Sequence, residues 1–365
     1  MMIVFFMQDT GAIFGAERAT LDLAIGLREA GFSPHFYLIE ELRRPQTAEG
    51  LVQAVATEGF PMRRFPVTGR FSPGMARAVR QAFVEDGGEV LHVVGSKANL
   101  HAWFAGIRPR VATVHGWLFR ADLKERLYDA LDRMTLRRCD RVICLSTYYR
   151  DLVARFVPAE RLSFIPSGLR VIPDEAAIPP RPRSSEAVVF GMMGRFSEEK
   201  QHERFLQAAG QITGTCPSAR FVLAGQGPRE GALRDLTERL GLTGRVTFPG
   251  YQPPEVFFKH IDAYVICSRI ENLPYSILEA MAWAVPVAGT RVGGIPDLVI
   301  DGETGSLVSR DDASALAGVL RRWAEHPHEL TAFGQAGRRR LLSHFDLATC
   351  ARAHQTLYRS LRIAP

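Results

Sequence analysis

The chain has 365 residues, 46% hydrophobic and 23% charged, with a formal net charge of +6. That length exceeds what one hydrophobic core usually fills, so two domains are expected, and the ordinary composition excludes a disordered chain. With no run of eighteen apolar residues the sequence holds no membrane-spanning helix, and five cysteines without CxxC spacing (Cys139, Cys144, Cys216, Cys267, Cys350) imply reduced thiols and no metal site.

The opening Met1-Met2-Ile3-Val4-Phe5-Phe6-Met7 is apolar but short, lacks a basic leader and meets Gln8-Asp9 at once. It reads as a buried first strand rather than a signal peptide, which predicts a cytoplasmic chain. Further strands are expected at His35–Ile39, Val90–Val94, Arg110–Val114 and Arg141–Leu145. Helices are expected at Ala16–Ala30, Pro73–Glu85, Asp122–Arg138 and Tyr148–Phe156. Such alternation gives a parallel sheet covered on both faces.

The pattern breaks at residues 171–185, which hold four prolines and no periodicity; they read as an interdomain linker. Alternation then restarts. Strands are expected at Ala187–Met193, Arg220–Ala224, Arg245–Phe248, Ala263–Cys267, Val285–Ala288 and Gly305–Val308, with helices at Lys200–Thr213, Glu230–Leu240, Tyr275–Trp283 and Ala313–Glu325. The predicted organisation is an α/β first domain over 1–170, a second over 186–345, and a terminal helix, about 348–365, that packs back on the first. Two such sheets facing each other would place a site between the domains, beyond the carboxyl ends of their strands.

Residues 1–170 hold 23 Lys/Arg against 18 Asp/Glu, whereas the remainder is nearly balanced. No basic run interleaves with aromatics, so nucleic acid is not expected. An anionic membrane surface or a phosphate-bearing ligand fits the excess as well as plain solvated surface does.

The segment Ser268-Arg269-Ile270-Glu271-Asn272-Leu273-Pro274-Tyr275-Ser276-Ile277-Leu278-Glu279 follows an apolar strand. Pro274 suits a first helical turn, where its missing N–H costs nothing, so a helix N-terminus should point out of a strand end and favour an anion. Glu271 falls in the loop and Glu279 about one and a half turns into the helix, a spacing that suits hydroxyl binding better than paired acid/base work. Among the apolar neighbours Leu278, Ala280 and Met281, Glu279 should be buried and partnered. In Gly194-Arg195-Phe196-Ser197-Glu198-Glu199-Lys200, Ser197 could cap a helix, Gly194 permits close backbone approach, and Arg195 and Lys200 could converge on a phosphate. Gly225 lies in a third strand-end turn. In the first half, Gly11 to Gly15 form a glycine loop that lacks the G-x-G-x-x-G and P-loop patterns. His115, followed by Gly116, ends a strand where a ligand could reach it.

These residues resemble a known family. Glu271 to Glu279 is similar to the E-x7-E motif of family 4 retaining glycosyltransferases of the GT-B fold. The similarity continues through Glu279-Ala280-Met281-Ala282, Val292-Gly293-Gly294-Ile295-Pro296-Asp297 and Asp301-Gly302-Glu303-Thr304-Gly305. Gly194-Arg195 with Lys200 resembles the diphosphate-binding motif; His115-Gly116, Gly15-Ala16-Glu17 and Ile165-Pro166-Ser167-Gly168 resemble weaker markers. The resemblance implies two doubly wound Rossmann-like domains facing across a cleft. It implies transfer of a sugar from a UDP- or GDP-linked donor, with no cofactor and no metal.

By the same resemblance Arg195 and Lys200 would bind the diphosphate and Glu279 the ribose. Glu271 with the Asn272-Leu273-Pro274 backbone would hold the sugar, helped by His115. Gly15 and its loop would lie against the sugar-phosphate or the acceptor, and Gly194 and Gly225 would line the nucleotide. The acceptor would be a carbohydrate or lipid-linked molecule of polysaccharide, lipopolysaccharide or glycolipid synthesis, met in the cytoplasm or at the inner membrane face. Two positions depart from the pattern: Asn272-Leu273-Pro274 replaces Gly-Phe-Gly, and Gln201 replaces a common Gly after the lysine. A sugar-nucleotide epimerase or a non-catalytic sugar-nucleotide-binding protein would share the architecture. The former needs acidic groups that are not identifiable, and the latter would usually lose Arg195, Lys200 or Glu279.

Overall fold

The computed structural model describes residues 1–9, 11, 13–42, 50–68, 72–117, 123–182 and 187–361. The chain divides into two compact units, Met1–Gly168 with Leu347–Pro365, and Leu169–Asp346.

The first unit runs β1 (Met2–Asp9), α1 (Gly15–Glu29), β2 (Ser33–Glu41), α2 (Leu51–Thr57), β3 (Met62–Val67), α3 (Pro73–Glu85) and β4 (Val90–Val94). It continues through α4 (Ser96–Ala105), β5 (Arg110–Val114), α5 (Leu123–Leu136), β6 (Arg141–Cys144), α6 (Thr147–Val153) and β7 (Leu162–Phe164). The strands are parallel, in the order β3-β2-β1-β4-β5-β6-β7. The order reverses between β1 and β4, so the loops after them flank a crevice. Ile3 to Phe6 are fully buried, as a central parallel strand covered on both faces requires. Four elements of this unit, α2, β3, α4 and β7, have no counterpart among the expected ones. β3 carries Arg63-Arg64 and Pro66, which only an edge strand tolerates, and α4 shows no one-sided apolar stripe because it buries the polar Asn99 and His101 beside Ala98, Ala102 and Ala105.

The second unit runs β8 (Val189–Met193), α7 (His202–Ile212), β9 (Arg220–Ala224), α8 (Glu230–Arg239), β10 (Val246–Gly250), α9 (Pro254–His260) and β11 (Ala263–Ile266). Then follow α10 (Tyr275–Ala282), β12 (Val287–Thr290), α11 (Ile295–Leu298), β13 (Gly305–Val308), α12 (Ala313–Glu325) and α13 (His328–His344). The parallel order β10-β9-β8-β11-β12-β13 reverses between β8 and β11. The strand expected at Val285–Ala288 starts two residues later. Ala284 takes a positive φ of 50° and Pro286 has no N–H for the ladder, although its carbonyl accepts from Tyr264.

The stretch expected to be a linker is described as far as Pro182, and it is docked rather than loose. Arg181 is buried. Its guanidinium donates to the carbonyls of Ile261, Phe258 and Trp283, and Thr331 donates to its own carbonyl. A buried guanidinium needs several acceptors, and the carboxyl ends of α9 and α10 supply them. Residues 183–185 lie outside the described set, as do Thr10 and Ala12 of the first glycine loop and residues 362–365.

The final helix, α14 (Leu347–Ser360), packs on α1 in the first unit. Gly26 makes room for it: a Cβ there would stand 3.0 Å from Leu347 Cγ and 3.1 Å from Ala351 Cβ. Under this helix His92 of β4 is held on both ring nitrogens, by Tyr358 Oη at 2.5 Å and Thr113 Oγ1 at 2.7 Å. Its ring stacks on His354, whose Nδ1 bonds the Cys350 carbonyl at 2.9 Å. Burial, with the charges of His354 and His115 adding to it, holds His92 well below the usual histidine value; burial pushes His354 down to about 4 against the opposing bond to the Cys350 carbonyl.

The folded state therefore favours neutral imidazoles, while the unfolded chain titrates near 6.5. Stability should be full above that pH and fall as the pH drops below it toward 4, by up to ~1.4 kcal/mol per pH unit for each histidine. Amide protection across Leu347–Ser360 should weaken between pH 7 and 5, and His354→Gln should flatten the dependence. Protection independent of pH would show that the rings are not held neutral.

Candidate active site

Four loops, those after β8, β9, β11 and β12, meet at the carboxyl ends of the second sheet. After β8, the Gly194 N–H donates to the Ala224 carbonyl at 3.0 Å, and Phe196 N–H to Gln226 carbonyl at 2.9 Å. After β9, Gly225 lies so close that a Cβ on it would stand 2.0 Å from the Gly194 oxygen. After β12, Gly293, at φ 52°, lies against the loop that follows β11, where an added Cβ would be 1.7 Å from the Glu271 carbonyl oxygen. Glycine at these positions is what lets the backbones touch.

Ser197 does not cap a helix: its hydroxyl turns back to the Arg195 carbonyl at 3.3 Å. Glu198–Lys200 form a single 3-10 turn, and α7 starts only at His202. The break is Gln201, at φ 51° and ψ 46° in the left-handed region, so Lys200 precedes the helix instead of opening it. This is the position where the resembling family often has glycine. The side chain here compensates with a bond to Asp311 Oδ1 at 3.1 Å.

Arg195, half exposed, donates to Glu199 Oε1 at 2.6 Å. Burial favours the protonated form of Glu199, but its own backbone N–H, Ser197 and Arg195 outweigh that and hold the carboxyl below its usual value. Lys200 Nζ lies 2.5 Å from Glu271 Oε1, which also accepts from Ser268 Oγ at 2.7 Å. The turn and the loop are further tied by Arg269 N–H donating to the Glu199 carbonyl at 2.8 Å.

Asn272 and Leu273 are buried. Pro274 stands one residue earlier than expected, as the N-cap of α10 with extended ψ, and its carbonyl accepts from Ile277. Glu279, the fifth residue of α10, is buried. Tyr264 links strand to helix: its hydroxyl donates to the Met193 carbonyl at 3.2 Å and accepts from Ser276 Oγ at 2.8 Å. Burial raises the Tyr264 phenol, the bond to Ser276 opposes the rise, and the charges of Glu271 and Glu279 add to it, so both carboxylates lie in its field.

Arg195, Lys200, Glu271, Asn272, Leu273, Pro274, Glu279, Gly194 and Gly225 thus share one end of one sheet. His115 and Gly15 belong to the first unit. Gly15 opens α1, where Glu17 reaches back to the Phe14 N–H at 3.2 Å. His115 directly follows β5, with part of its surface exposed. Burial pushes it down to about 4, so it is neutral at pH 7, and among the described residues it makes no hydrogen bond. It borders a cavity of about 70 Å³ that Ser96, Asn99, Trp117 and Asp132 also line. Asp132 accepts from Trp117 Nε1 at 2.9 Å and Asn99 Nδ2 at 3.3 Å, and burial raises its carboxyl.

Ser268, Glu199, Tyr264 and Asp132 were given no role from sequence. Ser268 and Glu199 lie inside the motif segments, whereas Tyr264 and Asp132 sit on ordinary strand and helix positions that carry no local signal.

Gly293→Ala should cost about 2 kcal/mol or more, from left-handed strain plus overlap with Glu271. It should also loosen amide protection over residues 268–274. A neutral effect in urea titrations would show that these loops can separate freely.

Residues 174–340 match the model of the glycosyl transferases group 1, and residues 13–171 match that of glycosyltransferase family 4. A 2-deoxystreptamine N-acetyl-D-glucosaminyltransferase of Streptomyces fradiae is 33% identical over 256 residues, 62% of this chain and 60% of that protein. A GDP-mannose-dependent alpha-(1-6)-phosphatidylinositol monomannoside mannosyltransferase of Mycolicibacterium smegmatis is 28% identical over 67% of this chain and 68% of its own. The chain thus aligns with some three-fifths to two-thirds of these relatives' length. The structure of HepE from Anabaena in complex with UDP superposes with a TM-score of 0.82 at 21% identity, over 99% of this chain and 100% of that one. Sucrose-phosphate synthase from Thermosynechococcus elongatus gives 0.82 at 22% identity over 100% of both. The two family models together take in all but the ends of the chain and a short join, and the chain belongs to the family 4, group 1 glycosyltransferases, with the GT-B fold.

Proposed function

We propose that the chain is a retaining glycosyltransferase that moves a sugar from a nucleoside-diphosphate donor, UDP- or GDP-linked, to an acceptor hydroxyl without a metal ion or cofactor. The observation that carries this is the gathering of Arg195, Lys200, Glu271 and Glu279 where the second sheet reverses its strand order. When the bond from the anomeric carbon to the diphosphate breaks, negative charge grows on the departing phosphate. Two cationic side chains beside it stabilise that charge more in the transition state than in the ground state. The acceptor oxygen bonds the anomeric carbon on the face the phosphate leaves, and the acceptor proton passes to the departing phosphate oxygen.

Glu279, low in the helix, is assigned to the ribose hydroxyls. Glu271 and the Asn272–Pro274 backbone are assigned to the sugar, Gly194 and Gly225 to close approach of the nucleotide, and Gly15 with its loop to the sugar-phosphate or the acceptor. His115, a neutral imidazole that makes no hydrogen bond among the described residues, is assigned to a substrate hydroxyl. Relatives named for phosphatidylinositol mannoside and lipopolysaccharide core synthesis support an acceptor that is a cell-envelope carbohydrate or glycolipid. The basic excess of residues 1–170 would suit such an acceptor at an anionic membrane face. No helix among the described residues is long and apolar enough to cross a membrane.

A thermal-shift screen of UDP-, GDP- and ADP-sugars, followed by hydrolysis of the stabilising one, tests the donor. Arg195→Ala and Lys200→Ala should each lower kcat by about 10²–10³; a loss confined to KM would show ground-state binding only. Glu279→Gln should weaken binding of the bare nucleoside diphosphate by about 1–3 kcal/mol in calorimetry.

Turnover should persist in EDTA, since side chains supply the positive charge. A strict requirement for Mg²⁺ or Mn²⁺ would refute the metal-free reading.

A further inference from the structure

Glu271 carries two donors on one oxygen. Lys200 Nζ and Ser268 Oγ both bond Oε1, at 2.5 and 2.7 Å, and among the described residues Oε2 has no donor. The two donors differ in freedom. Ser268 is wholly buried and its carbonyl accepts from Thr290 Oγ1, at the end of β12, at 2.8 Å. Lys200 keeps 29% of its side chain exposed, on a flexible stem in a single turn. One donor is therefore fixed to the sheet and the other can leave.

We propose that the Lys200–Glu271 ion pair is a latch that the donor opens, and that Ser268 is the positioning residue that holds Glu271 after Lys200 departs. The proposal rests on the nucleotide-sugar reading above. Lys200 is engaged by Oε1. A diphosphate offers it several anionic oxygens, so the ammonium transfers to the phosphates as the donor arrives. Glu271 would then swing free if Lys200 were its one anchor. The Ser268 hydroxyl keeps Oε1 in place, and Oε2 stays open to accept a hydroxyl of the transferred sugar. The bare carboxylate near the diphosphate also opposes nucleotide binding until a sugar hydroxyl engages it, which favours the intact donor over the spent nucleotide.

The sign of one substitution separates this from a static site. Glu271→Gln weakens the hold on Lys200 and removes a negative charge, so it should bind bare UDP or GDP about two- to fivefold more tightly than the parent, the scale of a partly exposed ion pair. The gain should shrink in high salt. Ser268→Ala retains the backbone carbonyl that Thr290 uses, so Tm should be little changed and nucleotide affinity unaltered, while kcat on the intact donor falls roughly tenfold. Added to Glu271→Ala, Ser268→Ala should cause no further loss, because its partner is already gone. Equal or weaker nucleotide binding by Glu271→Gln would overturn the latch and leave the nucleotide-sugar assignment standing. A Ser268→Ala loss that persists in the Glu271→Ala background would overturn the positioning role. If the unmodified chain binds neither UDP nor GDP, the donor assignment fails and the latch falls with it.

Discussion

Backbone touching backbone at the end of the second sheet is the constraint on which the site depends. Four loops leave neighbouring strands there, and side chains would normally keep them apart. Gly225 and Gly293 remove that spacing, and Gly227 does the same against the Phe196 oxygen, where a Cβ would come within 2.5 Å. The loops are thereby stacked without slack, and Arg195, Lys200 and Glu271 inherit fixed origins. Preorganisation of this kind matters for charge stabilisation, because donors already in place need not reorganise as charge develops. The chemistry is carried by long polar side chains, but their accuracy comes from residues with no side chain.

Much of this was legible in the sequence. Strands buried on both faces, such as Ile3–Phe6 and Ala263–Ile266, announce themselves as short apolar runs between turn signals. The motif residues lie close together in sequence around two strand ends, so their meeting follows from parallel topology alone. What escaped was whatever depends on edges or on single dihedrals. β3 breaks the apolar rule because an edge strand need not obey it, and the docked stretch through Arg181 looks like a tether because its anchor is one guanidinium.

The turn before α7 is the instructive case. Helical periodicity from Lys200 onward was real, but one residue, Gln201, adopts a left-handed conformation and cuts Lys200 out of the helix. Glutamine carries no warning of this; its tie to Asp311, more than a hundred positions away, is a tertiary fact. Ser268 was likewise visible as a letter and invisible as a partner, since its bond to Glu271 depends on how the loop curls over three residues.

The return of the last helix to the first unit has a consequence for synthesis on the ribosome. Residues 1–168 emerge first, yet the helix that covers Gly26 and bonds His92 follows the whole of Leu169–Asp346. At the usual pace of translation that interval is on the order of 10–40 s. Throughout it the nascent first unit presents an uncapped apolar face with a buried-type histidine open to water. A holdase that recognises such faces has its natural window there, and a message truncated before Leu347 would yield a polypeptide whose first unit stays permanently unfinished.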